Sequence, residues 1–86
     1  MITREIKKII EDSIDGATAH ILDPMNDGQH LQALVISSAF DGIPLIKQHQ
    51  MVMRPLKDAF EDYVHALGLK TFTPEKWDAV KDQYSI

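Results

Sequence analysis

Four histidines, His20, His30, His49 and His65, are the side chains of this sequence best suited to chemistry near neutral pH. Imidazole titrates near pH 6.5 and, when neutral, ligates metals through either ring nitrogen. No two of the four stand at the i, i+4 spacing that puts paired ligands on one helix face, and no His-Glu-x-x-His motif is present. The chain has no cysteine. That excludes thiolate nucleophiles, disulfides, zinc ribbons and an iron–sulfur site held by this chain alone. A Gly-x-Ser-x-Gly elbow and a phosphate-cradling glycine loop are also missing. Neighbouring carboxylates such as Glu11 with Asp12 and Glu61 with Asp62 read as solvated helix faces, not as acid/base dyads. The sequence is therefore that expected of a protein which is not an enzyme.

A second chemistry is cationic. Lys47, Arg54 and Lys57 fall close together and could meet DNA in the manner of a helix-turn-helix. The competing reading is a solvated helical face. Nine Lys and Arg against thirteen Asp and Glu give a net charge of −4, which opposes non-specific binding to nucleic acid.

These residues must be positioned by a small scaffold. The 86 residues suffice for one domain, taken as residues 1–86. Their 44% hydrophobic and 26% charged content is that of a soluble globular chain. No apolar run approaches the roughly 18 residues of a membrane span and no start resembles a signal peptide, so a cytoplasmic protein is expected.

Ile6, Ile9, Ile10 and Ile14 recur at helical spacing between Lys7, Lys8, Glu11 and Asp12, predicting an amphipathic helix that ends at Asp15-Gly16. A strand over 17–22 stops at Asp23-Pro24, and Asp27-Gly28 signals a hairpin. The second strand, 30–37, is apolar on both alternation sets, as a central strand should be. Pro55 then divides the next region into a helix over 45–53 and another over 55–64. A third strand covers 65–72. Thr73-Pro74-Glu75 opens a last helix that Trp77, Val80 and Tyr84 would anchor. The order α-β-β-α-α-β-α predicts an α+β domain, a three-stranded sheet with helices packed on one face. His20 and His30 fall on or beside the hairpin. His49 lies on a helix, where a core histidine donating to a backbone carbonyl is the alternative to a ligand. His65 lies at a helix-to-strand corner, where it also suits a cation facing the helix dipole.

In chain order, Phe40-Asp41-Gly42, Lys47-Gln48-His49-Gln50-Met51-Val52, Leu56, His65-Ala66-Leu67 and Thr73-Pro74-Glu75-Lys76-Trp77 resemble the signature of BolA-like proteins. Asp27-Gly28-Gln29-His30, together with Phe40-Asp41-Gly42, is similar to the bacterial IbaG-type branch of that family. The resemblance implies a class II KH-like fold. It also implies pairing with a monothiol glutaredoxin around a shared, glutathione-bound 2Fe-2S cluster, in iron–sulfur trafficking or iron homeostasis. His65 matches the family's usual co-ligand. The hairpin cysteine of many relatives corresponds to Asp27, and His30 supplies an imidazole three residues later, so the second ligand is His30, Asp27 or neither. Some members are described as DNA-binding regulators of stress and cell shape, for which Lys47, Arg54 and Lys57 would serve here. Against that role, the family's frequent Arg-His-Arg reads Gln48-His49-Gln50, and no Gly-x-x-Gly clamp is present.

Overall fold

The isoleucine spacing forms the first helix as expected. In the computed structural model, which describes residues 2–23, 31–59 and 67–84, helix α1 spans Ile2–Ser13. Ile6 and Ile10 are buried, as is Ile14 just beyond the helix end, while Arg4, Glu5, Lys8 and Asp12 face solvent. The chain then reverses at Gly16, whose φ of 66° lies in the left-handed region where a Cβ would add strain.

Strands β1 (Thr18–Leu22), β2 (Leu31–Ile36) and β3 (Leu67–Phe72) make one sheet in the order β1-β2-β3. β1 runs antiparallel to β2, with His20 opposite Leu34, and β2 runs parallel to β3, with Leu31 opposite Leu67 and Ile36 opposite Phe72. The apolar residues on both faces of β2 thus place it in the centre. Parallel neighbours need a crossover, and α2 (Leu45–Ala59) lies in the connection. Val52 and Leu56 of α2 meet Ile6, Ile10 and Ile14 over Ala19, Leu31, Ala33 and Val35, and Phe40 completes this core.

Two features differ from the sequence-based expectation. Pro55 does not divide the helix: α2 continues through it to Ala59. Proline lacks the N–H that would reach back to Met51, a local cost of about 3 kcal/mol. Burial of Val52 and Leu56 on either side of it offsets that cost. The remainder of the expected second helix, 60–64, lies outside the described residues.

The other difference is the place of the last helix. α1 and α2 share one face of the sheet as expected, but α3 (Pro74–Val80) lies on the other. Register puts His20, Leu34 and Lys70 side by side on the face opposite Ala19, Ala33 and Leu69, and it is His20 that Trp77 of α3 stacks upon. Leu34 and Ile36 are the apolar residues of β2 on this side, so the second buried set of the central strand is what the last helix covers. Its start is as expected, with the Thr73 hydroxyl accepting from the Lys76 N–H at 3.4 Å and Pro74 in the first turn.

Candidate functional site

The cationic candidates all project from α2 into solvent. Lys47 and Arg54, two turns apart, line a shallow groove of about 220 Å³ with Ile43, Gln50 and Met51. Lys57 is exposed near the end of the same helix.

The imidazoles divide differently. His49 is half-buried and lines a cavity of about 350 Å³ with Leu45, Leu69, Lys70, Thr71, Phe72 and Tyr84. Among the described residues it makes no hydrogen bond to a backbone carbonyl, so the core-histidine alternative to a ligand finds no acceptor there. His20, on β1, is covered by the Trp77 indole, with 5.5 Å between ring centroids. Loss of solvent holds the His20 imidazole below its ordinary pKa of 6.5, the nearby Lys7 charge adds to this, and Glu11 opposes it. Trp77 also meets Phe72 and Tyr84, whose ring centroids lie 5.4 Å and 5.6 Å from its own.

His65, His30 and Asp27 lie outside the described residues. The strands that follow the two histidines are described, and they are informative: β2 opens at Leu31 and β3 at Leu67, paired side by side and parallel. Among the described residues no group of three or more His, Asp or Glu could hold a metal ion.

Glu11 and Lys7, which the sequence presents as surface charges of α1, close the outer edge of β1. One Glu11 carboxylate oxygen accepts from the Ala19 N–H at 3.0 Å and from the Lys7 ammonium at 2.8 Å. Lys7 in turn donates to the Ala19 carbonyl at 2.7 Å. Donation from Lys7, and then from the Ala19 N–H, holds the Glu11 carboxyl below its ordinary pKa of 4.5. The pair is i, i+4 on α1, and the strand edge that it serves is set only by the fold.

Gln48 has a structural task. Its amide nitrogen donates to the carbonyls of Ile43 (2.7 Å) and Phe40 (3.3 Å), and its oxygen accepts from the Thr71 hydroxyl at 2.6 Å. The loop at Gly42, α2 and β3 are thereby tied around a wider cavity of about 650 Å³, whose rim includes Asp41, Thr73, Glu75 and Lys76.

Residues 2–76 match the family of BolA-like proteins. The chain belongs to that family. This BolA-like protein is 30% identical to the acid stress protein IbaG of Escherichia coli K12 over 78 residues, which cover 90% of this chain and 89% of IbaG. A solved bolA homologue from Coxiella burnetii superposes with a TM-score of 0.73 at 30% identity, covering 88% of this chain and 95% of that one. A more distant relative, named as the DNA-binding transcriptional regulator BolA of Vibrio cholerae, is 27% identical over 60 residues, or 70% of this chain and 57% of that one. The IbaG and Vibrio relatives carry the names of a stress protein and a regulator, and the α+β fold of the BolA-like protein is that of the Coxiella homologue. Among the described residues no helix is long and apolar enough to cross a membrane.

Proposed function

We propose that this BolA-like protein is a non-enzymatic cytoplasmic adaptor that pairs with a monothiol glutaredoxin and co-ligates a glutathione-bound 2Fe-2S cluster as its cargo. His65 and His30 are the ligands from this chain, with Asp27 the alternative to His30. The observation that carries the reading is the parallel pairing of Leu31 with Leu67. His30 precedes Leu31 by one residue and His65 precedes Leu67 by two, so both histidines lead into strand ends that open side by side. With no cysteine in the chain, the thiolates come from glutaredoxin and glutathione. Imidazole in place of thiolate on one iron lowers the cluster's negative charge and raises its potential, as in Rieske-type centres. Mixing the protein with cluster-loaded monothiol glutaredoxin should change the visible circular dichroism, and His65→Ala should abolish that change. An unaltered response in the variant removes His65 from the ligand set.

A second reading, a small DNA-binding regulator, draws on the groove that Lys47 and Arg54 share with Gln50 and on the name of the Vibrio relative. Phosphate contacts make affinity fall steeply with salt. Tight, sequence-dependent binding by the apo protein that weakens with salt and with Lys47→Ala or Arg54→Ala would favour it over the adaptor. The net charge of −4 counts against it.

A further inference from the structure

The two edges of the sheet are finished in opposite ways. On β1, the outward N–H and C=O of Ala19 are both taken by Glu11 and Lys7. On β3, the Ser37 N–H donates to the Phe72 carbonyl at 3.0 Å, so Phe72 turns its peptide groups toward β2. Alternation turns those of Lys70 the same way and those of Leu69 and Thr71 outward. No side chain or backbone group among the described residues bonds to these outward groups. An open edge of this kind is a template for another strand.

The cavity of about 350 Å³ follows that edge. Its lining includes four consecutive residues of β3, Leu69 to Phe72. Their side chains alternate between the two faces of the sheet, so a hollow that touches all four runs along the strand's free side. Leu45 and His49 of α2 wall it on one face and Tyr84 walls it on the other. Leu45 is 61% exposed and Ile46 beside it 70%, the large apolar side chains left in water among the described residues.

Charge narrows the occupant. The protein carries −4 overall, yet among the described residues no acidic side chain lines this hollow. Its fixed charge is Lys70, held at the rim by donation to the Tyr84 hydroxyl at 3.3 Å and lying 5.7 Å from the Tyr84 ring centroid. An ammonium has three protons to donate, so Lys70 can take a carboxylate without leaving Tyr84. A phosphate backbone asks for a row of cations, whereas Leu69 and Thr71 present paired donors and acceptors about 6.6 Å apart, the repeat of an extended peptide.

We propose that the free edge of β3 is a docking site for an extended peptide segment of a partner protein, which adds to the sheet as a fourth strand. Its backbone pairs with Leu69 and Thr71, apolar side chains lie on Leu45 and Leu69, and an acidic side chain reaches Lys70. This is strand addition, with affinity from the main chain and selectivity from alternate side chains. It does not rest on the histidine reading, because neither His30 nor His65 takes part.

The test titrates the full 86-residue protein with a blocked eight-residue peptide of alternating valine and glutamate, followed by amide NMR and hydrogen exchange. Saturating peptide should slow exchange of the Leu69 and Thr71 amides at least tenfold and leave that of Ala19 unchanged. The same peptide N-methylated at alternate backbone positions should lose the effect. Replacing its glutamates by lysine should weaken binding to the parent protein and strengthen it to Lys70→Glu, an exposed substitution that spares the core. No protection at millimolar peptide overturns the proposal. So does protection of the same amides by an oligothymidylate but not by the peptide, or by self-association of the chain.

Discussion

The imidazole of His20 and the indole of Trp77 are stacked with their planes 23° apart, and this contact fastens α3 to the sheet face that α1 and α2 leave uncovered. α3 itself buries no residue fully. It is held by aromatic surface: Trp77 on His20 and Phe72, and Tyr84 on Phe72 and Trp77. Trp77→Ala should therefore release α3 without unfolding the core on the other face. Loss of a partly buried indole and its ring contacts costs roughly 2–4 kcal/mol. Urea unfolding gives the total. Amide exchange should show α3 deprotected while Val35 and Val52 stay slow, and uniform loss across both faces would contradict the division.

The same contact makes stability depend on pH through His20. Its folded pKa lies below 6.5, with desolvation the main cause, the Lys7 charge adding and Glu11 opposing. Between the folded value and 6.5 the unfolded chain therefore binds more protons, and stability falls as pH drops through that window. Above it the neutral imidazole is favoured in both states and the slope vanishes. His20→Phe keeps a ring against Trp77 and removes the titration. Unfolding midpoints measured from pH 8 to pH 5 should fall less in the variant than in the parent, and equal slopes would rule His20 out as the source.

Glu11 acts in a lower window. Its carboxyl is held below 4.5 by Lys7 and by the Ala19 N–H, so its contribution is present at neutral pH and is lost as pH falls through the folded value. Glu11→Ala leaves the Ala19 N–H without its charged acceptor and should cost about 1–2 kcal/mol at pH 7. Glu11→Gln, which keeps an acceptor oxygen, should recover part of this. Since the substitution also reopens the β1 edge, concentration-dependent association by sedimentation is expected in Glu11→Ala and not in the parent.

What the sequence made legible was local. The isoleucines of α1, the doubly apolar β2 and the Thr73-Pro74 start of α3 each state their structure within one element, and each formed as read. The relations that crossed elements were not legible. Strand alternation turns His20 away from Ala19 and Ile21, but that Trp77 of α3 comes to lie on the same face is a relation no spacing encodes. Glu11 reaches Ala19 only once Gly16 has reversed the chain. For the candidate site, periodicity located the histidines. The role given to His65 came from family resemblance, because a lone imidazole specifies no chemistry until its neighbours are known.

Pro55 is where local and tertiary preference conflict. Local preference ends a helix there, since proline removes a donor and crowds the preceding turn. The structure runs α2 straight through, with Val52 and Leu56 buried on either side. The proline is thus a cost carried by the helix, not a boundary. Pro55→Ala restores an N–H to reach the Met51 carbonyl and should stabilise the protein by about 1–3 kcal/mol, the upper value being the full propensity difference. Part of the gain is cancelled because proline also restricts the unfolded chain. The measurement is a urea unfolding midpoint, with amide exchange at Lys57 and Asp58 reporting on the helix beyond position 55. If Pro55 were instead a true helix stop, the substitution would leave both unchanged.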